Sequence, residues 1–140
     1  MTEQRDRGEE SATTESFAYK YRRLTTGPAE RLRVRALGSA APNGYTTVVQ
    51  ADRMARVLGL GPGRRLLDLG AGRGWPGGHI AAATGCTPYA ADLPLEALRQ
   101  AGQVFRALDP PRGSLTAADG TRLPFRDRSF DGACHTDVLC

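Results

Sequence analysis

Asp68-Leu69-Gly70-Ala71-Gly72-Arg73-Gly74 closes a short apolar run, Arg65-Leu66-Leu67-Asp68-Leu69, and is followed at once by Trp75-Pro76. The apolar run emerges from the turn signal Gly61-Pro62-Gly63 and reads as a buried strand. Pro76 suits the first turn of a helix, and the stretch through Ala83 to Gly85 completes that helix. A strand that turns sharply into a helix leaves N–H groups unpaired at the helix N-terminus, and glycines let a ligand approach that backbone closely. The pattern predicts a nucleotide-type site, and the question becomes which ligand it holds.

Working outward, the same strand-then-helix alternation continues. Upstream, a turn at Ala41-Pro42-Asn43-Gly44 leads to a helix in which Thr47 and Gln50 have capping-box spacing. Val48, Ala51, Ala55 and Leu58 recur on one face of it, and it ends at Gly59. Downstream, a second strand is expected from about Thr87 to Ala91. Pro88 removes a ladder hydrogen bond, which leaves open whether that strand starts before or after the proline. Leu93-Pro94 opens a helix with Leu95, Leu98, Gly102 and Phe105 on one face, ending before Asp109-Pro110-Pro111. Ser114 to Ala118 reads as a third strand and Phe130 to Leu139 as a fourth. Alternating β and α elements predict an α/β fold with parallel strands and right-handed crossovers.

Two common ligands fail on residue chemistry. The dinucleotide fingerprint needs a small third residue so that helix and strand can pack closely, and counting from Gly70 that position is Trp75. A phosphate-cradling P-loop would end in Gly-Lys-Ser/Thr, which does not occur here. An acidic residue, Asp68, two places before Gly70, Gly72 and Gly74 is what remains.

Asp68-Leu69-Gly70-Ala71-Gly72-Arg73-Gly74 resembles motif I of the class I S-adenosylmethionine-dependent methyltransferases. The resemblance continues at Asp92, where the family places a carboxylate that hydrogen-bonds both ribose hydroxyls; the reading without a ligand is a helix N-cap ahead of Pro94. It continues again through Ala118-Asp119-Gly120, Leu123-Pro124-Phe125 and Ser129-Phe130-Asp131. There it implies that Asp119 accepts a hydrogen bond from the adenine amino group and that the Gly120 backbone lies against the ring; the bland alternative is an Asp-Gly turn. Gly44-Tyr45-Thr46-Thr47 and Gln50 resemble the N-terminal cap of small-molecule methyltransferases, which would set Tyr45 over the cofactor, although a Tyr ahead of a helix is more often a packing anchor.

The implied fold is a Rossmann-like three-layer α/β methyltransferase fold with its first four parallel strands in the order 3-2-1-4 and an N-terminal helical cap. The implied cofactor is S-adenosylmethionine, held by Asp68, Gly70, Ala71, Gly72, Gly74, Asp92, Leu93, Asp119, Gly120 and Tyr45. No catalytic residue and no metal ligand is assigned. His79, in the helix after the glycine loop, reads as structural, and His135 as able to approach the substrate side.

The 140 residues suit a single domain, with a hydrophobic fraction of 40% and a charged fraction of 24%. Residues 1–16 lack large apolar side chains after Met1 and read as a disordered tail, residues 17–60 as the helical cap, and residues 61–140 as the cofactor-binding half. No apolar run is long enough for a membrane span and the N-terminus has no apolar signal core, so a cytoplasmic protein is expected. Cys86, Cys134 and Cys140 have no C-x-x-C spacing and read as reduced thiols. Cys134 and His135 are adjacent on a strand and point to opposite faces, which argues against shared metal ligation.

The net charge of +4 raises an acidic partner, and Arg22, Arg23, Arg31, Arg33 and Arg35 would be the phosphate-contacting face of a nucleic-acid methyltransferase. Asp109-Pro110-Pro111-Arg112 lacks the aromatic of the amino-methylating motif and precedes the third strand, so it reads as a loop. A small-molecule methyl acceptor is the expected partner, with no membrane and no nucleic acid. The family's sheet continues past a fourth strand, so a truncated chain is expected, with self-association through its last strand. A non-catalytic remnant that at most binds the cofactor is the third reading.

Overall fold

The computed structural model describes residues 45–136. The expected tail at 1–16, the cap residues 17–44 and the end of the fourth strand at 137–140 lie outside the described residues. Helix α1 (Val48–Val57) begins with the expected reciprocal cap: the Gln50 N–H donates to Thr47 Oγ1 at 3.3 Å, and the Thr47 N–H donates to Gln50 Oε1 at 2.8 Å. Ala51 and Ala55 of α1 are buried, and Leu58 packs against the core from the C-cap.

The chain continues as β1 (Arg65–Leu69), α2 (Gly77–Thr84), β2 (Thr87–Asp92), α3 (Leu95–Arg106), β3 (Ser114–Ala117) and β4 (Gly132–His135). Gly85 ends α2 in the left-handed conformation, φ 79°, with its N–H returned to the Ala81 carbonyl. All strand pairs are parallel and the sheet order is β3-β2-β1-β4, as expected. The chain steps outward from β1 to β3 and then returns to the other side of β1, which makes the carboxyl ends of the strands around β1 a topological switch point.

One core cluster joins α1, α2 and α3 to Leu66, Ala90 and Cys134, so the three helices share one face of the sheet. Strand residues of the opposite parity face away from it. There Tyr89 meets Phe130 edge-on with ring centroids 5.2 Å apart, and Phe130 meets Phe125 at 4.9 Å.

The open question of Pro88 is settled, and two local expectations are corrected. Pro88 lies inside β2, opposite Leu66. The Thr87 N–H bonds the Arg64 carbonyl, so odd residues of β2 bond toward β1 and even ones toward β3. The missing Pro88 N–H therefore faces the β3 side, where pairing begins only at Tyr89 with Ser114. Of the expected face of α3, Leu98, Gly102 and Phe105 are buried, joined by Ala97 and Ala101, but Leu95 is 60% exposed. Phe130 stands outside β4, which begins at Gly132, and its ring packs edge-on against Tyr89.

Candidate cofactor-binding site

Gly70, Gly72 and Gly74 have φ of 68°, 52° and 87°, conformations that side-chain-bearing residues resist, so the loop after β1 depends on glycine. Its amides are directed inward. Gly70 and Ala71 donate to the Ala91 carbonyl at 2.8 and 3.4 Å, Gly74 donates to the Ala71 carbonyl at 2.8 Å, and Gly72 donates to Asp92 Oδ2 at 2.7 Å. The loop is thus folded over the end of β2.

Asp68 points under the loop, 1% exposed. Its Oδ2 accepts the Gly77 N–H at 2.8 Å and its Oδ1 lies 3.7 Å from Cys134 Sγ, which donates. Burial raises the Asp68 pKa to about 7, against the opposing pull of these two bonds, while the nearby Asp92 charge raises it further. Burial and the Asp68 charge push the Cys134 thiol well up. A carboxyl group of the protein itself therefore occupies the positive end of α2, the place where a phosphate would otherwise sit.

Asp92 ends β2 at the rim. Oδ2 accepts from Gly72 and Oδ1 accepts the Leu93 N–H at 2.8 Å. Burial raises its pKa, opposed by those two amides. Helix α3 starts later, with Pro94 at the N-cap and no side-chain cap bond, so Asp92 is not serving as the helix cap. Each of its oxygens retains acceptor capacity beyond the bond it makes.

The loop after β3 joins the same rim, since a Cβ on Gly120 would sit 3.6 Å from Leu69 Cδ1. Asp119 Oδ1 accepts the Thr121 N–H at 2.8 Å and the Thr121 hydroxyl at 2.9 Å. Those bonds hold its pKa below the usual carboxylate range. The Asp-Gly turn is therefore formed. Tyr45 is 76% exposed beside Thr46, whose carbonyl accepts the Trp75 indole N–H at 3.0 Å. The loops after β1, β2 and β3 and the start of α1 thus meet at one edge of the sheet.

Within this list the residues divide. Asp92, Leu93 and Gly120 keep accessible surface at the rim with Gly70 half-buried beside them, whereas Asp68, Ala71, Gly72 and Gly74 are buried beneath it. A Cβ on Gly74 would come within 3.1 Å of Ala101 Cα in α3. Gly77, Gly78 and Cys134 were not singled out from sequence as site residues. A Cβ on Gly77 would meet Asp68 Oδ2 at 2.5 Å and one on Gly78 would meet Val104 Cγ1 at 2.5 Å. The adjacent Gly-Gly pair was the available signal: it lets α2 close on β1 and α3. His79 pairs with Asp52 at 2.8 Å. His135 is exposed on β4 while its neighbour Cys134 is buried, and it lines a groove with Gln50 and Arg53.

Comparison with known families gives a match to the methyltransferase domain over residues 66–140, more than half of the chain. The chain belongs to this methyltransferase domain family. The methyltransferase chain is 46% identical over 74 residues to demethylmenaquinone methyltransferase of Mycobacterium sp. (strain KMS), covering 53% of this chain and 29% of that protein. It is 36% identical over 99 residues to botryococcene C-methyltransferase of Botryococcus braunii, covering 66% of this chain and 25% of that protein. It thus spans between a quarter and a third of the length of these relatives.

Among solved structures, a methyltransferase from Geobacter sulfurreducens in complex with S-adenosylhomocysteine aligns with TM-score 0.60 at 21% identity, covering 77% of this chain and 43% of that one. Magnesium protoporphyrin IX methyltransferase from Synechocystis PCC 6803 aligns with TM-score 0.60 at 19% identity, covering 85% and 55%. These two likenesses show the fold. No helix among the described residues is long and apolar enough to cross a membrane.

Proposed function

We propose that this methyltransferase chain binds S-adenosylmethionine at the rim formed by the loops after β1, β2 and β3, for methyl transfer to a small-molecule acceptor. The observation that carries the reading is the engagement of the glycine-loop amides and of the α2 N-terminus by Ala91, Asp92 and Asp68. Such a site offers little to a phosphate and suits a nucleoside ligand that carries none. The Asp92 carboxylate beside the loop also favours a cationic ligand over an anionic one.

When bound, the cofactor supplies a methyl group already activated by its sulfonium. Asp92 accepts the ribose hydroxyls, using acceptor capacity left by Gly72 and Leu93. Asp119 and Gly120 border the adenine, and Asp119 Oδ2 has no protein partner among the described residues. Tyr45 stands within the cap, just ahead of α1, from where it helps exclude water once the cofactor is bound. Asp68 and Gly74 hold the loop in shape from beneath. Transfer to a positioned nucleophile requires alignment and desolvation above all, so the chain's contribution is geometric and no catalytic base is assigned.

The small-molecule acceptor is supported by the relatives, whose names specify demethylmenaquinone and botryococcene as substrates. A cytoplasmic setting is supported by the free, buried thiols of Cys86 and Cys134. The test is a ligand panel by calorimetric titration with S-adenosylhomocysteine, NAD and ADP. The reading expects binding of the first alone; tighter binding of either phosphate-bearing ligand would overturn it.

A further inference from the structure

Trp75 breaks the dinucleotide pattern, and it is half-buried against the core cluster. Its Nε1–H donates to the Thr46 carbonyl at 3.0 Å, across 29 positions of sequence. His79, one turn further along the same segment, meets Asp52 Oδ1 through Nε2 at 2.8 Å. The Trp75 and His79 rings lie against each other, with centroids 5.3 Å apart and planes tilted by 47°. Thr46 immediately precedes the N-cap of α1 and Asp52 lies in the following turn. The segment that leaves the glycine loop therefore grips the start of α1 at two points, through two rings in tilted contact.

We propose that Trp75 and His79 form a latch that fixes the start of α1 beside the glycine loop, making them positioning residues for cofactor binding. The inference rests on the reading of the rim as the cofactor site. Two contacts, one from just before α2 and one from within it, restrain both translation and rotation of α1, which one contact alone would not do. The tilted ring contact restrains both side chains, so neither need be reordered when the ligand arrives. The start of α1 carries Tyr45, and its placement decides how much of the rim stays open to solvent. Glycine-loop geometry and cap position are thereby linked: a ligand that orders one side binds to a protein whose other side is already in place.

Asp52→Ala cuts the latch from the cap side, on a side chain 40% exposed, without touching the glycine loop. Asp52→Asn keeps the Oδ1 acceptor and serves as the conservative rescue. Trp75→Phe keeps the ring and removes the indole donor. Hydrogen exchange of amides 45–52 and the affinity for S-adenosylhomocysteine are measured on all four proteins, with circular dichroism confirming that each is folded. If the latched population falls to about a tenth, apparent affinity falls about tenfold. The proposal expects that loss, with faster exchange at 45–52, in Asp52→Ala and Trp75→Phe, and recovery in Asp52→Asn. Trp75 is the chain's single tryptophan, so wild type and Asp52→Asn should also share one emission spectrum, displaced in Asp52→Ala. Wild-type affinity in both disrupted variants overturns the latch, as does a loss that Asp52→Asn fails to rescue. Absence of binding by the wild type overturns the cofactor reading itself, an outcome distinct from the failure of the latch.

Discussion

The Asp68 carboxylate accepts the Gly77 N–H at 2.8 Å from a position 1% exposed, closing the space between β1 and the first turn of α2. Burial is the dominant influence on this group, and its pKa is raised from 3.8 to about 7. The folded chain therefore keeps a proton that the unfolded chain releases between those two values. Stability contributed by Asp68 falls as pH rises through that window and levels off above it, by an amount on the order of a few kcal/mol. Asp68→Asn, neutral at all pH and still able to accept from Gly77, should remove this slope. Urea unfolding of both proteins at about pH 5 and about pH 8 checks it; an unchanged slope in the variant contradicts the assignment.

Gly74 is held by packing as well as by its backbone angle. Its φ is 87°, and a Cβ would come within 3.1 Å of Ala101 Cα, a backbone atom that cannot swing aside. Gly74→Ala is expected to cost about 1–3 kcal/mol. Gly61→Ala is the control, because no atom lies within 4 Å of its added Cβ; it should stay within about 0.5 kcal/mol of wild type. Equal thermal midpoints for the two variants would contradict this reading.

Arg112 ties together elements distant in sequence. Its guanidinium donates to the carbonyls of Ala81 at 2.6 Å, Cys86 at 2.8 Å, Pro110 at 2.8 Å and Asp109 at 3.1 Å. Arg112→Ala leaves these acceptors without their shared donor and should cost about 2–4 kcal/mol. Arg112→Lys should recover only part of it, since an ammonium cannot reproduce the planar fork. Denaturant unfolding of the two variants checks the order.

The parts of the fold that were legible in sequence are those set by neighbours along the chain. The Thr47–Gln50 capping box, the apolar β1 run and the Gly85 stop each depend on contacts a few residues apart, and the alternation of elements then selects parallel pairing. The site was legible as a motif because the glycine φ values and the Asp92 carboxylate serve one turn. Its interior was not. The Asp68–Cys134 contact spans 66 positions and His79–Asp52 spans 27, so no local pattern distinguishes them from ordinary polar residues. Pro88 was ambiguous because its tolerance depends on which neighbour its missing N–H faces, a property of the assembled sheet. Leu95 lay outside the core because the buried stripe of α3 follows Ala97 and Ala101, small residues whose weight is decided by close helix approach.

The central claim is that Asp92 at the end of β2 holds the nucleoside of S-adenosylmethionine. Calorimetric titration of wild type and Asp92→Ala with S-adenosylhomocysteine tests it most directly. Losing a charged acceptor shared by two hydroxyls should weaken binding by at least about tenfold, from about 1.5–3 kcal/mol for hydrogen bonds to a charged group. Wild-type binding near neutral pH with that loss in the variant is the expected result; binding of equal strength by both proteins, or by neither, would contradict the account.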